Sequence, residues 1–60
     1  MNIIEEFATA CAEYLAKYDG ADYNDTKQNS MDNTEDLWNY LWWLKTDESR
    51  GICIKYQYVI

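Results

Sequence analysis

The sequence has no histidine and no proline, and only two glycines and two cysteines. Without histidine it lacks the commonest general base and the commonest metal ligand. Two cysteines alone do not make a structural zinc site, and no histidine activates Cys11 or Cys53 as a nucleophile. With glycine only at Gly20 and Gly51, there is no glycine-rich loop to cradle a phosphate. Carboxylate pairs exist at Glu5/Glu6 and Asp47/Glu48, but a chain of 60 residues can hardly wall off a pocket that tunes them. The chain is not expected to be an enzyme, and no cofactor or metal is expected.

Long apolar runs are also missing. Nothing approaches the roughly 20 residues of a membrane span, and the opening MNIIEE lacks the basic and apolar regions of a secretory signal. The expected location is the cytoplasm, or a host cell's cytoplasm if the source is viral. In that reducing compartment both thiols are expected to stay free, a Cys11–Cys53 disulfide being the alternative. Positive charge is scarce too: eleven acids face five basic residues, for a net charge of −6. A face of that sign repels phosphate, which excludes direct binding to nucleic acid and disfavours anionic membranes. The acids are unevenly placed, all of them lying before residue 49.

What the chain has in abundance is large rings. Residues 34–45, TEDLWNYLWWLK, hold all three tryptophans, Tyr40 and three leucines. Each such ring removes roughly 150–250 Å² from water when buried. That matters for a single domain, 1–60, of a size that buries only about 60% of its unfolded surface. Leu37, Leu41 and Leu44 form an i, i+4, i+7 stripe, Asp32 or Asn33 caps it, and Glu35 and Asp36 fill an acidic first turn. These features favour a helix over 34–45. Under a strand period Trp38, Tyr40, Trp42 and Leu44 would instead share one face.

Residues 3–18 form the clearest element. Ile3, Tyr14, Phe7, Tyr18, Cys11, Ile4, Leu15 and Ala8 fall within an arc of roughly 140° at helical spacing. Asn2 caps this helix with Glu5 three residues on, Glu13 and Lys17 form an i,i+4 pair, and Gly20 ends it. Residues 21–33, ADYNDTKQNSMDN, read as a connecting loop pinned by Tyr23 and Met31. Asp22 and Asn24 have the first spacings of a calcium loop. Lys27 and Asn33 stand where that loop needs glycine and glutamate, so calcium binding is excluded. Thr46–Gly51 reads as a turn. Residues 52–60 alternate, with Ile52, Ile54, Tyr56, Tyr58 and Ile60 on one side, which predicts a strand over about 52–59.

The expected fold class is therefore α+β: two helices, about 3–18 and 34–45, and a C-terminal strand. A lone strand leaves backbone groups open. It is expected to pair in a hairpin, across a homodimer, or with the sheet edge of another protein.

Two functions from different classes follow. In one, carboxylates and rings occupy a basic groove of a partner protein that normally holds nucleic acid, a nuclease or similar complex, by phosphate mimicry. The contacting residues would be Asp22, Asp25, Asp32, Glu35, Asp36, Asn39, Trp42 and Trp43. In size and charge the chain is similar to the small acidic proteins that phages use against host nucleases, CRISPR complexes and polymerases. In the other, the chain is a structural or regulatory module that dimerises through its C-terminal strand. The projection of 34–45 puts Trp42 and Trp43 roughly 125–135° from the leucine stripe, on opposite flanks. They are either wrapped by the rest of the structure or exposed as a binding surface.

Overall fold

Four helices and a terminal 3-10 turn account for the computed structural model, which describes residues 2–60. Helix α1 spans Ile3–Asp19, α2 Tyr23–Asp32, α3 Thr34–Leu44 and α4 Asp47–Lys55, and the turn covers Gln57–Val59. No strand occurs among the described residues. The α+β expectation is overturned, and with it fall the hairpin, the strand-paired homodimer and the addition to another protein's sheet edge.

The two expected helices are present. Asn2 Oδ1 accepts the Glu5 N–H at 2.7 Å, and Gly20 leaves α1 at φ +77°. The Ala21 N–H then reaches back to the Leu15 carbonyl at 3.3 Å, closing a left-handed helix end. The inward face of α1 buries Phe7, Ala8, Cys11, Ala12, Tyr14 and Leu15. Ile3, Ile4 and Tyr18, which share that arc by periodicity, lie at the ends of the helix beyond the reach of the core and are exposed. Lys17 pairs not with Glu13 but with Glu48 of α4, at 3.2 Å. Both side chains are well exposed, so the pair contributes little.

The segment expected as a loop is α2. Asp22 uses its carboxylate as a helix cap, accepting the Asp25 N–H at 2.9 Å. What holds this polar helix is not Tyr23 or Met31, both exposed, but Ser30, its one fully buried residue. The Ser30 hydroxyl donates to the Thr26 carbonyl at 2.7 Å, so it enters the interior satisfied. Helix α2 packs along α1, in which Ala8 and Ala12 are fully buried. Asn33 joins α2 to α3 at φ −131°, and the Thr34 hydroxyl donates across the break to the Ser30 carbonyl at 2.9 Å.

The C-terminal correction has a local cause and a tertiary one. Locally, Thr46–Ser49 is a capping box: the Thr46 hydroxyl accepts the Ser49 N–H at 3.0 Å, and Ser49 Oγ accepts the Thr46 N–H at 3.1 Å. Asp47 and Glu48 follow in the first turn and Lys55 sits in the last, each at its favourable dipole end. The presumed turn is thus a helix start. Tertiary packing then selects the 3.6 period, since Ile52, Cys53 and Tyr56 face inward while Ile54, Tyr58 and Ile60 are exposed. A helix also satisfies its own backbone, which a single strand cannot. One orphan carbonyl at its end, Cys53 O, is capped by the Trp38 indole N–H at 3.0 Å, and the Cys53 thiol donates to the Trp38 carbonyl at 3.3 Å.

Thr46 has a second role, because its hydroxyl is 2.6 Å from that of Tyr14, a buried ring on α1. Thr46→Ala removes a helix cap and strips the Tyr14 hydroxyl of its partner. The expected loss is about 2–3 kcal/mol, from about 1 for the cap and about 1–2 for the unsatisfied hydroxyl. Urea denaturation checks it, with Thr46→Ser expected to restore most of the loss.

Phe7, Cys11, Tyr14, Leu15, Leu37, Leu41, Cys53 and Tyr56 form the core, with Phe7 edge-on to Tyr56 at 5.9 Å between ring centres. Both cysteines are free and buried. Burial pushes the Cys11 thiol up to about 12; the nearby Cys53 adds to the rise and the Ser30 hydroxyl opposes it. Burial pushes Cys53 to about 11 against the opposing charge of Arg50. In the unfolded chain both ionise near 9. Their contribution to stability is therefore whole below that pH and is lost as pH rises through 11 to 12. At pH 8 a thiol reagent is expected to modify the native protein only as fast as it unfolds, and both cysteines at once in denaturant.

Candidate protein-binding face

Helix α3 divides its residues by burial. Leu37 and Leu41 turn inward and Leu44 is half-buried against the core. The opposite side is centred on Asn39, flanked by Glu35, Asp36 and Trp43 at helical spacing, with Tyr40 and Trp42 at its two edges. All six are exposed. Trp43 is the extreme case at 69% exposure. It stacks on Tyr40, one turn earlier, with ring centres 6.2 Å apart and planes 20° off parallel.

The other edge is built differently. Trp42 stacks on Trp38, centres 5.8 Å apart, and the Arg50 guanidinium of α4 lies 4.2 Å from the centre of the Trp42 ring. Arg50 Nε is buried without a hydrogen-bond acceptor, so the electron-rich ring is its counterpart. Trp38 is locked through its indole bond to Cys53. Trp42, 39% exposed, is therefore half structural, whereas Trp43 has no such support.

The eight sequence-derived contact residues are all exposed, but they do not form one patch. Glu35, Asp36, Asn39 and Trp43 share the outer face of α3, and Trp42 borders it. Asp32 ends α2, where it accepts the Gln28 side-chain N–H at 3.0 Å. Asp22 and Asp25 begin α2, about 15 and 10 Å of helix axis away. Among the described residues Lys17–Glu48 is the one ion pair, so the carboxylates of α2 and α3 have no internal cation. Sequence reasoning missed Tyr40, although its i,i+3 spacing to Trp43 was a usable signal. Arg50 was out of reach, because its segment reads as a turn.

Fold and face define a class: a small, acidic, all-helical domain that displays stacked aromatic rings beside unpaired carboxylates. No helix among the described residues is long and apolar enough to cross a membrane. No protein-family model, curated protein or solved structure matches the chain.

Proposed function

We propose that this protein is an inhibitor or adaptor that sets the outer face of α3 against a basic, nucleic-acid-binding surface of a partner protein. The observation that carries this reading is Trp43, 69% exposed and stacked on Tyr40 beside Glu35 and Asp36. Exposing a tryptophan to water costs the domain burial it can hardly spare, and tryptophan and tyrosine are the usual anchors of interface hot spots. The flanking carboxylates supply the phosphate-like charge and steer association with a basic surface. In size and charge the chain resembles in kind the small acidic proteins that phages use against host nucleases, CRISPR complexes and polymerases. The alternative of a dimerisation module is not retained, since residues 47–55 are helical and offer no strand.

The test is capture of the partner from host lysate by tagged protein, followed by affinity measurements at rising salt and in the presence of duplex competitor. Duplex is expected to displace the protein, and affinity is expected to fall steeply between low and moderate ionic strength. The reading fails if the captured partner binds as well in high salt, or if Glu35→Gln/Asp36→Asn binds like the parent.

A further inference from the structure

We propose that the groove between α1 and α4 is a second docking site, for an amphipathic helix of a partner protein carrying one large apolar anchor between two basic residues about two turns apart. The groove has a volume of about 370 Å³ and shares no residue with the outer face of α3. Glu6, Ala10 and Glu13 recur at i, i+4 and i+7 along α1, and Ile52 of α4 stands four residues before Tyr56, which caps that helix, so the walls are two helical ridges.

The notch exists because α1 carries only a methyl group at Ala10. Ala10 and Ile52 are half-buried with their inner sides on the core, and Tyr56 is buried beside them, which makes the floor apolar. The carboxylates of Glu6 and Glu13 bracket that floor, about 10 Å apart along the axis of α1. A helix laid in a groove presents its anchors and flanking charges at this same repeat. Lys55 also lines the groove, but its ammonium rests over the Tyr56 ring at 5.5 Å, and the lining keeps an excess of negative charge. Charge selects the occupant. A basic helix complements Glu6 and Glu13, an acidic helix is repelled, and a second copy of this chain brings a net charge of −6 against the same charge.

The probe is a synthetic peptide of about 18 residues, long enough to hold helix, with leucine as anchor and lysines on either side seven positions apart. Its control has glutamates in place of the lysines. Titrated into the full, isotope-labelled chain, the lysine peptide is expected to shift the amide resonances of Ala10, Ile52 and Tyr56. The glutamate peptide is expected to shift none. Ala10→Phe, which fills the notch from the solvent side, is expected to abolish binding, and Glu6→Gln/Glu13→Gln to weaken it about tenfold. Trp43→Ala is expected to leave it unchanged, so failure here and failure of the α3 reading are separable. The proposal is overturned if the lysine peptide leaves those resonances unmoved, if its shifts map to α3, or if the doubly neutralised variant binds like the parent. Concentration-dependent shifts of the groove in the protein alone would overturn it in favour of self-association.

Discussion

Phe7→Ala is expected to remove about a third or more of the stability of the fold. Phe7 is fully buried where α1 meets the end of α4, with its ring edge-on to Tyr56. Truncating a buried phenylalanine costs about 3–5 kcal/mol, the lost transfer of the ring plus the cavity it leaves. At about 0.05–0.15 kcal/mol per residue, a chain of this length has only about 3–9 kcal/mol in total. One side chain thus accounts for a large share of the stability. Thermal melting followed by circular dichroism gives the measurement, with Ile54→Ala as control. Ile54 is an apolar residue of α4 that is 60% exposed, and its truncation should change stability by no more than about 0.5 kcal/mol. If the Phe7 variant melts with the parent, the core is not centred where α1 and α4 meet.

Trp43→Ala should do the reverse. Its stability is expected to stay within about 0.5 kcal/mol of the parent, because the ring is mostly in water and stacks on Tyr40, itself exposed. Partner affinity is expected to fall by about 2 kcal/mol or more, roughly thirtyfold, the scale of an aromatic hot spot. Trp42→Ala makes an informative comparison. It loses the Trp38 stack and the Arg50 contact, so it should destabilise the fold by about 1–2 kcal/mol as well as weaken binding. Denaturation and titration calorimetry on both variants separate the effects. Loss of stability in Trp43→Ala without loss of affinity would turn its ring from an anchor into a structural residue.

Much of the helical framework was legible in the sequence. Asn2, Gly20 and the apolar face of 3–18 mark α1, and the acidic turn with the leucine stripe marks α3, because these signals act within one or two turns of backbone. The division of α3 into inner and outer sides was legible too, with the leucines inward and Glu35, Asp36 and Asn39 outward, but not whether Trp42 and Trp43 would be covered. Helix α2 was hidden by its composition: Asn, Asp, Ser and Thr compete with helix by bonding their own backbone, and only contact with α1 outweighs this. Helix α4 was hidden by degeneracy. Ile52, Cys53 and Tyr56 satisfy a helical spacing, while Ile52, Ile54, Tyr56 and Tyr58 satisfy an alternating one. Gly51 inside the helix, about 1 kcal/mol worse than alanine, strengthened the wrong choice.

By itself, then, the sequence determined which residue types this protein lacks, its net negative charge, and the position and sidedness of α1 and α3. Composition is independent of conformation, and capping and amphipathic spacing are local. Only the tertiary structure decided that the C-terminal residues are helical, that α2 exists, and that Trp42 is clamped by Trp38 and Arg50 while Trp43 stands in solvent. Each of these depends on residues distant in the chain: Ser30 against α1, the Trp38 indole on the Cys53 carbonyl, Arg50 over a ring of α3. The burial of a side chain belongs to the packed whole, and periodicity along one segment carries no information about what the other segments leave uncovered.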